Sequence, residues 1–192
     1  MLMNAVAVKY KAIVIGTSAG GLIALSAILQ QLPADYPIPL VIVQHRTKDQ
    51  KTLLEEVLQQ KSKLNVVQAE EKEKIKPGFV FMAPPDYHLL IESDYSFSLS
   101  AEDPVHFSRP SIDVLFESAA DVYKETLIGI ILTGSNADGA AGIAAINNQG
   151  GLTIAQDPSE ARFAEMPRAA IKKGATYIYS LAEITDFILK RI

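Results

Sequence analysis

Residues 13 to 21, Ile13-Val14-Ile15-Gly16-Thr17-Ser18-Ala19-Gly20-Gly21, decide how this chain is read. A β-branched apolar run stops at glycines, and Leu22, Leu25, Leu29 and Leu32 follow at helical spacing. Strand, tight turn and helix is the reading, with Ser18 on the turn. Gly16-Thr17-Ser18-Ala19-Gly20 also fits the G-x-S-x-G elbow, in which glycines let a sharp turn hold a serine hydroxyl clear of the backbone. Such a turn ends a strand at the carboxyl edge of a sheet, where α/β folds place their sites.

Working outward, two more runs behave like the first. Leu40-Val41-Ile42-Val43 ends in Gln44-His45-Arg46, and Leu127 to Leu132 ends in Thr133-Gly134-Ser135-Asn136-Ala137-Asp138-Gly139. Apolar runs without alternation are strands buried on both faces, as in a parallel sheet. Helical patterns are expected near 20–31, 52–58, from Pro110 (with the proline in the first turn), around Ile143 and Ile146, in a short stretch ending at Gly174, and over 181–192. Shorter strands are expected at 64–67, 152–155 and 177–179, with a polar loop over 156–168. In the middle, Phe79 to Ala83, His88 to Ile91 and Tyr95 to Leu99 are punctuated by Pro84-Pro85-Asp86 and Ser93-Asp94, which predicts antiparallel hairpins. The expected fold is α/β: a doubly wound, mostly parallel sheet with helices on both faces and a β-hairpin insertion in the middle, in a single domain over 1–192.

Composition narrows the function. A net charge of −4 offers no basic excess for phosphate backbones, so nucleic acid is not an expected partner. Without cysteine there is no thiol nucleophile, thiolate metal site or disulfide. The apolar piece Ala5 to Val8 is too short for a signal peptide, and the run Ala12 to Ile15 is far short of a membrane span. A cytoplasmic protein, not inserted in a membrane, is the expectation.

Ser18, His45 and Asp138 each follow a buried-type strand, so a parallel sheet brings all three to one edge. They are the types that activate an oxygen nucleophile: imidazole takes the hydroxyl proton, and a carboxylate fixes its tautomer. Each has a plainer reading. Ser18 suits a phosphate-binding turn, His45 a strand end satisfied by a carbonyl, and Asp138 the N-cap of the helix after Gly139. His88 reads as packing on a hairpin and His106 as a loop residue. The serine–acid–histidine order of α/β-hydrolases fails, because no histidine follows His106. The G-x-G-x-x-G spacing of dinucleotide sites is missing, and the three histidines lack metal-ligand spacing. No cofactor and no metal are expected.

Six motifs in order give a wider resemblance. They are Ile15-Gly16-Thr17-Ser18-Ala19-Gly20-Gly21, Gln44-His45, Ala83-Pro84-Pro85-Asp86-Tyr87-His88, Arg109-Pro110-Ser111-Ile112-Asp113, Leu132-Thr133-Gly134 with Asp138-Gly139-Ala140-Ala141-Gly142, and Ala155-Gln156-Asp157 with Met166-Pro167-Arg168-Ala169-Ala170-Ile171. With these the chain resembles the catalytic domain of the CheB-type chemotaxis receptor methylesterases. The resemblance implies a Ser18 nucleophile, a His45 base and Asp138 completing the triad. It implies hydrolysis of glutamate γ-methyl esters on the cytoplasmic helices of methyl-accepting receptors, with glutamine deamidation at such sites. Backbone N–H groups near Ala19 and in the Gly134-Ser135 loop are candidate oxyanion donors, and Ala19, Gly134, Ser135 and Met166 are the expected site wall. The chain departs from the family pattern at Ala19, where threonine or serine is commoner, and at Gly134-Ser135-Asn136, where Gly-Met-Gly is usual. About eleven residues precede the first strand, leaving no receiver domain of the kind common in the family, so control is expected from a separate receiver or regulator protein. Two other readings stay open: a non-catalytic binding module of the same fold, and an esterase or amidase for another substrate.

Overall fold

The computed structural model describes residues 9–46 and 53–190. The apolar piece Ala5 to Val8, Thr52 at the start of the expected second helix and residues 191–192 of the last lie outside them.

β1 (Ala12–Thr17) is followed by α1 (Gly21–Leu29), β2 (Leu40–Gln44), α2 (Leu54–Gln59), β3 (Asn65–Gln68) and β4 (Phe79–Met82). After β5 (His88–Ile91) and β6 (Phe97–Ser100) come α3 (Ile112–Tyr123), β7 (Leu127–Ile131), α4 (Ala140–Asn148), β8 (Leu152–Gln156), α5 (Glu165–Lys172), β9 (Tyr177–Tyr179) and α6 (Leu181–Leu189). Seven strands form one sheet in the order β3-β4-β2-β1-β7-β8-β9, all parallel. β1 lies between β2 and β7, so the chain leaves it first to one side and later to the other. The carboxyl end of β1 is therefore the switch point of the sheet, where a crevice opens between diverging connections.

Every residue of β1 is buried, and alternation splits them between two cores. Ile13 and Ile15 pack with Leu25, Ile28 and Leu29 of α1, Leu58 of α2 and Ile184 and Ile188 of α6. Ala12 and Val14 face the other layer, with Leu115, Phe116 and Ala119 of α3, Ile143 and Ile146 of α4 and Met166 and Ala170 of α5. Helices on both faces cover the central strands β1, β2 and β7 on both sides, which is why these read as unbroken apolar runs, while the edge strands β3 and β9 keep exposed residues.

Four local expectations need correction. β4 does not join a hairpin: it pairs in parallel with both β2 and β3, and only β5 and β6 form the antiparallel pair. That pair lays Leu89, Ile91 and Phe97 against the second core. The polar stretch 156–168 ends inside α5, because Met166 and Pro167 are buried in its first turns. Pro110 precedes the Ser111 N-cap of α3 and is not in the helix. Leu22 begins α1 facing outward, and Ala24 supplies the core contact instead.

β1 and α3 meet at Gly16, where a β-carbon would overlap Cγ2 of the buried Ile112. Ile112 is β-branched and stiff, so the contact cannot relax by rotation. Gly16→Ala should therefore lower the unfolding free energy by about 1–3 kcal/mol, read from the urea midpoint. An unchanged midpoint would mean that α3 is not pinned against β1 at this point.

Candidate active site

Ser18 leaves β1 with its backbone N–H on the Thr133 carbonyl (3.0 Å), while Thr17 Oγ1 donates to the same oxygen (2.8 Å). The turn then needs a left-handed residue, and Gly20 supplies it with φ of 84°. Thr133 Oγ1 donates to the Ala19 carbonyl (2.9 Å), tying the turn to the end of β7. On the other side, Gln44 Nε2 donates to the carbonyls of both Ser18 (2.8 Å) and His45 (3.0 Å). His45 N–H in turn donates to Thr17 O (3.0 Å). Backbone and amide thus hold the serine and histidine at a set separation.

Asp138 is the most heavily bonded side chain here. Its Oδ2 accepts from His45 Nε2 (2.7 Å) and from the N–H of Ile112 (2.7 Å). Its Oδ1 accepts from Ser111 Oγ (2.8 Å) and from the N–H of Asp113 (3.0 Å). Burial pushes the Asp138 carboxyl up, but the bonds from His45, Ile112 and Asp113 outweigh it and hold its pKa below the ordinary value. The group is a carboxylate at neutral pH and can only accept, so His45 Nε2 carries the proton. Nδ1 is then the basic nitrogen; it lies 3.5 Å from Ser108 Oγ. Asp138 is not the N-cap of α4, which is Gly139; its carboxylate caps α3 from a distance. Behind it Asp113 accepts from Gly142 N–H (2.7 Å) and is pushed up, chiefly by burial.

His88 is a buried brace: Nδ1 accepts from Ser111 N–H (3.1 Å), so Nε2 donates to the Asp103 carbonyl (3.1 Å). It supports the serine that supports Asp138. His106 is a loop residue with its Nε2 3.3 Å from Asp113 Oδ2.

A cavity of about 610 Å³ opens at the switch point, lined by Ser18, Ala19 and His45 together with Arg46, Asp86, Phe107, Ser108, Arg109 and Asn136. Ser18 and His45 share this cavity, with Asp138 buried beneath His45. No hydrogen bond joins Ser18 Oγ to His45 among the described residues. The Ala19 N–H meets no acceptor among the described residues, and Ala19 lines the cavity. Gly134 cannot serve that way, because its N–H is spent on Phe163 O (3.0 Å). Met166 is no wall residue either: it is buried under Gly134, where its side chain fills the space of a β-carbon. Ser135 is exposed and outside the cavity lining; Asn136 takes that place.

Composition-level reading missed Ser111, Arg46, Arg109 and Asp86. Arg109 Nη2 pairs with Asp86 (2.8 Å), and Arg46 pairs with Glu55 (2.8 Å) and donates to Ala83 O (2.6 Å). Two buried-rim guanidiniums are therefore committed to protein partners. The signal was present in the Pro-Pro-Asp and Arg-Pro-Ser segments, polar residues set among prolines between apolar elements.

Residues 13–188 match the CheB methylesterase family. A Symbiobacterium thermophilum protein-glutamate methylesterase/protein-glutamine glutaminase is 38% identical, over 94% of this chain and 50% of that protein. A Leptospira interrogans protein, provisionally given the same activity, is 49% identical over 95% of both chains. The crystal structure of the Thermotoga maritima CheB methylesterase catalytic domain superposes with a TM-score of 0.91 at 35% identity, covering 95% of this chain and 99% of that one. Against the Symbiobacterium relative, the chain thus spans about half the length.

Removing the Asp138 carboxylate would leave four donors facing an empty space. Asp138→Ala should cost about 3–5 kcal/mol of stability, measured by denaturant unfolding. Because the folded pKa is lowered, the unfolded state binds more protons in the acid range, so this contribution is complete above the ordinary carboxylate pKa and is lost as pH falls through the folded value. The acid limb of stability against pH should be shallower in Asp138→Asn than in the wild type. Equal slopes would show that the clamp does not hold the charge.

Proposed function

The chain belongs to the CheB methylesterase family, and from that premise we propose that it hydrolyses methyl esters on glutamate side chains of chemotaxis-type receptors. Ser18 is the nucleophile, His45 the general base and acid, and Asp138 the carboxylate that orients His45. One observation carries the assignment of roles: Ser18 and His45 line a single cavity at the switch point, and His45 Nε2 is 2.7 Å from a buried, ionised Asp138.

The reaction follows from these positions. Ser18 Oγ attacks the ester carbonyl carbon as His45 Nδ1 takes the hydroxyl proton. Ser18 must come within hydrogen-bond reach of Nδ1 for this, and such bonds tighten when substrate binds. Charge on the imidazolium is balanced by Asp138, whose four donors keep it ionised. The carbonyl oxygen becomes an oxyanion facing the Ala19 N–H, a type of contact worth about 3–4 kcal/mol in other enzymes. His45 then protonates the departing methoxide. Methanol leaves, and water repeats the sequence on the acyl-enzyme to free the glutamate carboxylate.

Glutamine deamidation uses the same steps with ammonia in place of methanol, and the names of the relatives pair the two activities. The receptor's helical cytoplasmic region is the partner this reading requires. Among the described residues no helix is long and apolar enough to cross a membrane.

Methanol release from methylated receptor cytoplasmic fragments tests the proposal. Wild type should release it, and Ser18→Ala should reduce the rate by about 10⁴-fold or more. Release undiminished in Ser18→Ala would remove the serine from the mechanism. No release by the wild type from several receptors would overturn the substrate.

A further inference from the structure

Val105 N–H donates to Ser108 O (3.1 Å) and Ser108 N–H to Val105 O (2.9 Å), closing a two-residue turn over His106 and Phe107. Both central residues are left-handed, with φ of 48° and 61°. Turns of this kind select Asn-Gly, because a β-carbon in that conformation crowds the following carbonyl. His106 gains a contact there, with Asp113. Phe107 gains none: its relative exposure is 103%, the full area of the residue.

The position of that ring gives it meaning. Phe107 lines the cavity that holds Ser18 and His45, and the next residue, Ser108, is the one 3.5 Å from His45 Nδ1. Tyr87, 44% exposed, follows the cavity residue Asp86. Leu22 and Ile23, at 39% and 65%, open the helix just after Ser18. Isolated exposed apolar residues are ordinary on any surface. A fully solvated phenylalanine at the mouth of a reaction cavity, on backbone that glycine would suit better, is not. Among the residues that line the cavity Phe107 carries the one large apolar side chain, the rest being mostly polar or charged.

We propose that Phe107 is a specificity-determining residue that docks a helical protein substrate. Its ring packs on an apolar side chain lying one helical turn from the ester-bearing residue, steering the ester into the cavity. Residues three or four apart on a helix sit about 5–6 Å from one another, which suits an anchor on the rim beside the reaction site. The proposal rests on the methylesterase reading above and adds how the substrate is chosen.

Phe107→Gly is the informative variant, since glycine fits the turn and the protein should unfold at the same temperature or higher. KM for a methylated receptor fragment should rise about 10- to 100-fold, the scale expected for losing one buried aromatic contact. The loss on a small activated ester should be about tenfold smaller than the loss on the receptor. Phe107→Tyr, which keeps the ring, should restore the receptor KM. A receptor KM unchanged in Phe107→Gly, or equal losses on both substrates, would overturn the docking role while leaving the esterase in place. Failure of the wild type to act on the receptor at all would instead overturn the methylesterase reading, and the docking role with it.

Discussion

A single buried carboxylate, Asp138, organises the site. It is 0% exposed, yet it stays ionised because four donors converge on it from two directions. Two are N–H groups of the first turn of α3, which carries the positive end of the helix dipole. Helix starts usually solve this need locally, with a side chain at the N-cap. Here Ser111 sits at the N-cap but makes no cap bond, and gives its hydroxyl hydrogen to Asp138 instead. The helix is capped by a residue from the far side of β7. As a result α3, the β7 loop and the end of β2 are locked by one group. A buried charge held this way is costly to assemble and costly to disturb, which is how His45 comes to have a fixed orientation and a fixed tautomer.

The placement of Ser18 relative to His45 has a second origin, in the sheet. β1 and β2 pair in register, with Thr17 opposite Gln44, so the next residue of each strand emerges at the same height. Gln44 then bridges the two carbonyls with one amide nitrogen. Its other amide atom lies where a β-carbon on Gly21 would sit, so the glycine after the turn makes room for the bridge. The register sets the height of the two groups and the amide sets their spacing. Neither depends on the cavity loops, which are left to form the mouth.

Sequence reading reached the sheet and its edge because burial on both faces writes itself as unbroken apolar runs, and three such runs ended in Ser18, His45 and Asp138. It misjudged what periodicity does not encode. Phe79 to Met82 is as apolar as the hairpin strands beside it, and nothing in the run states which neighbour it will pair with; the parallel partner β2 is some 40 residues earlier. The helix ending near Gly174 was expected, but the first half of α5 hid in a polar stretch because only Met166, Pro167 and Ala170 of its eight residues are buried. The N-cap reading of Asp138 followed a sound local rule, but a nearby glycine took that position and tertiary contact redirected the carboxylate. Gly134 and Met166 were expected in the wall from resemblance alone. Their backbone and side chain turn out to pack the β7 loop onto α5, outside the cavity lining.

The two departures from the family pattern fall where side chains carry little of the load. Ala19 offers its carbonyl to Thr133 and keeps its N–H without an acceptor among the described residues, and both are backbone groups that threonine or serine would also carry. Asn136 replaces a glycine of the usual motif. Its Oδ1 accepts the N–H of Asp138 at 3.2 Å, so the larger residue adds a bond that steadies the carboxylate's own backbone. It also reaches the cavity lining, where a glycine would have left space. Asn136 therefore acts at both places, on the cavity surface through its position in the lining and on the Asp138 clamp through this bond. The loops give the cavity its outline, while the sheet ends and the Asp138 clamp fix where Ser18 and His45 stand within it.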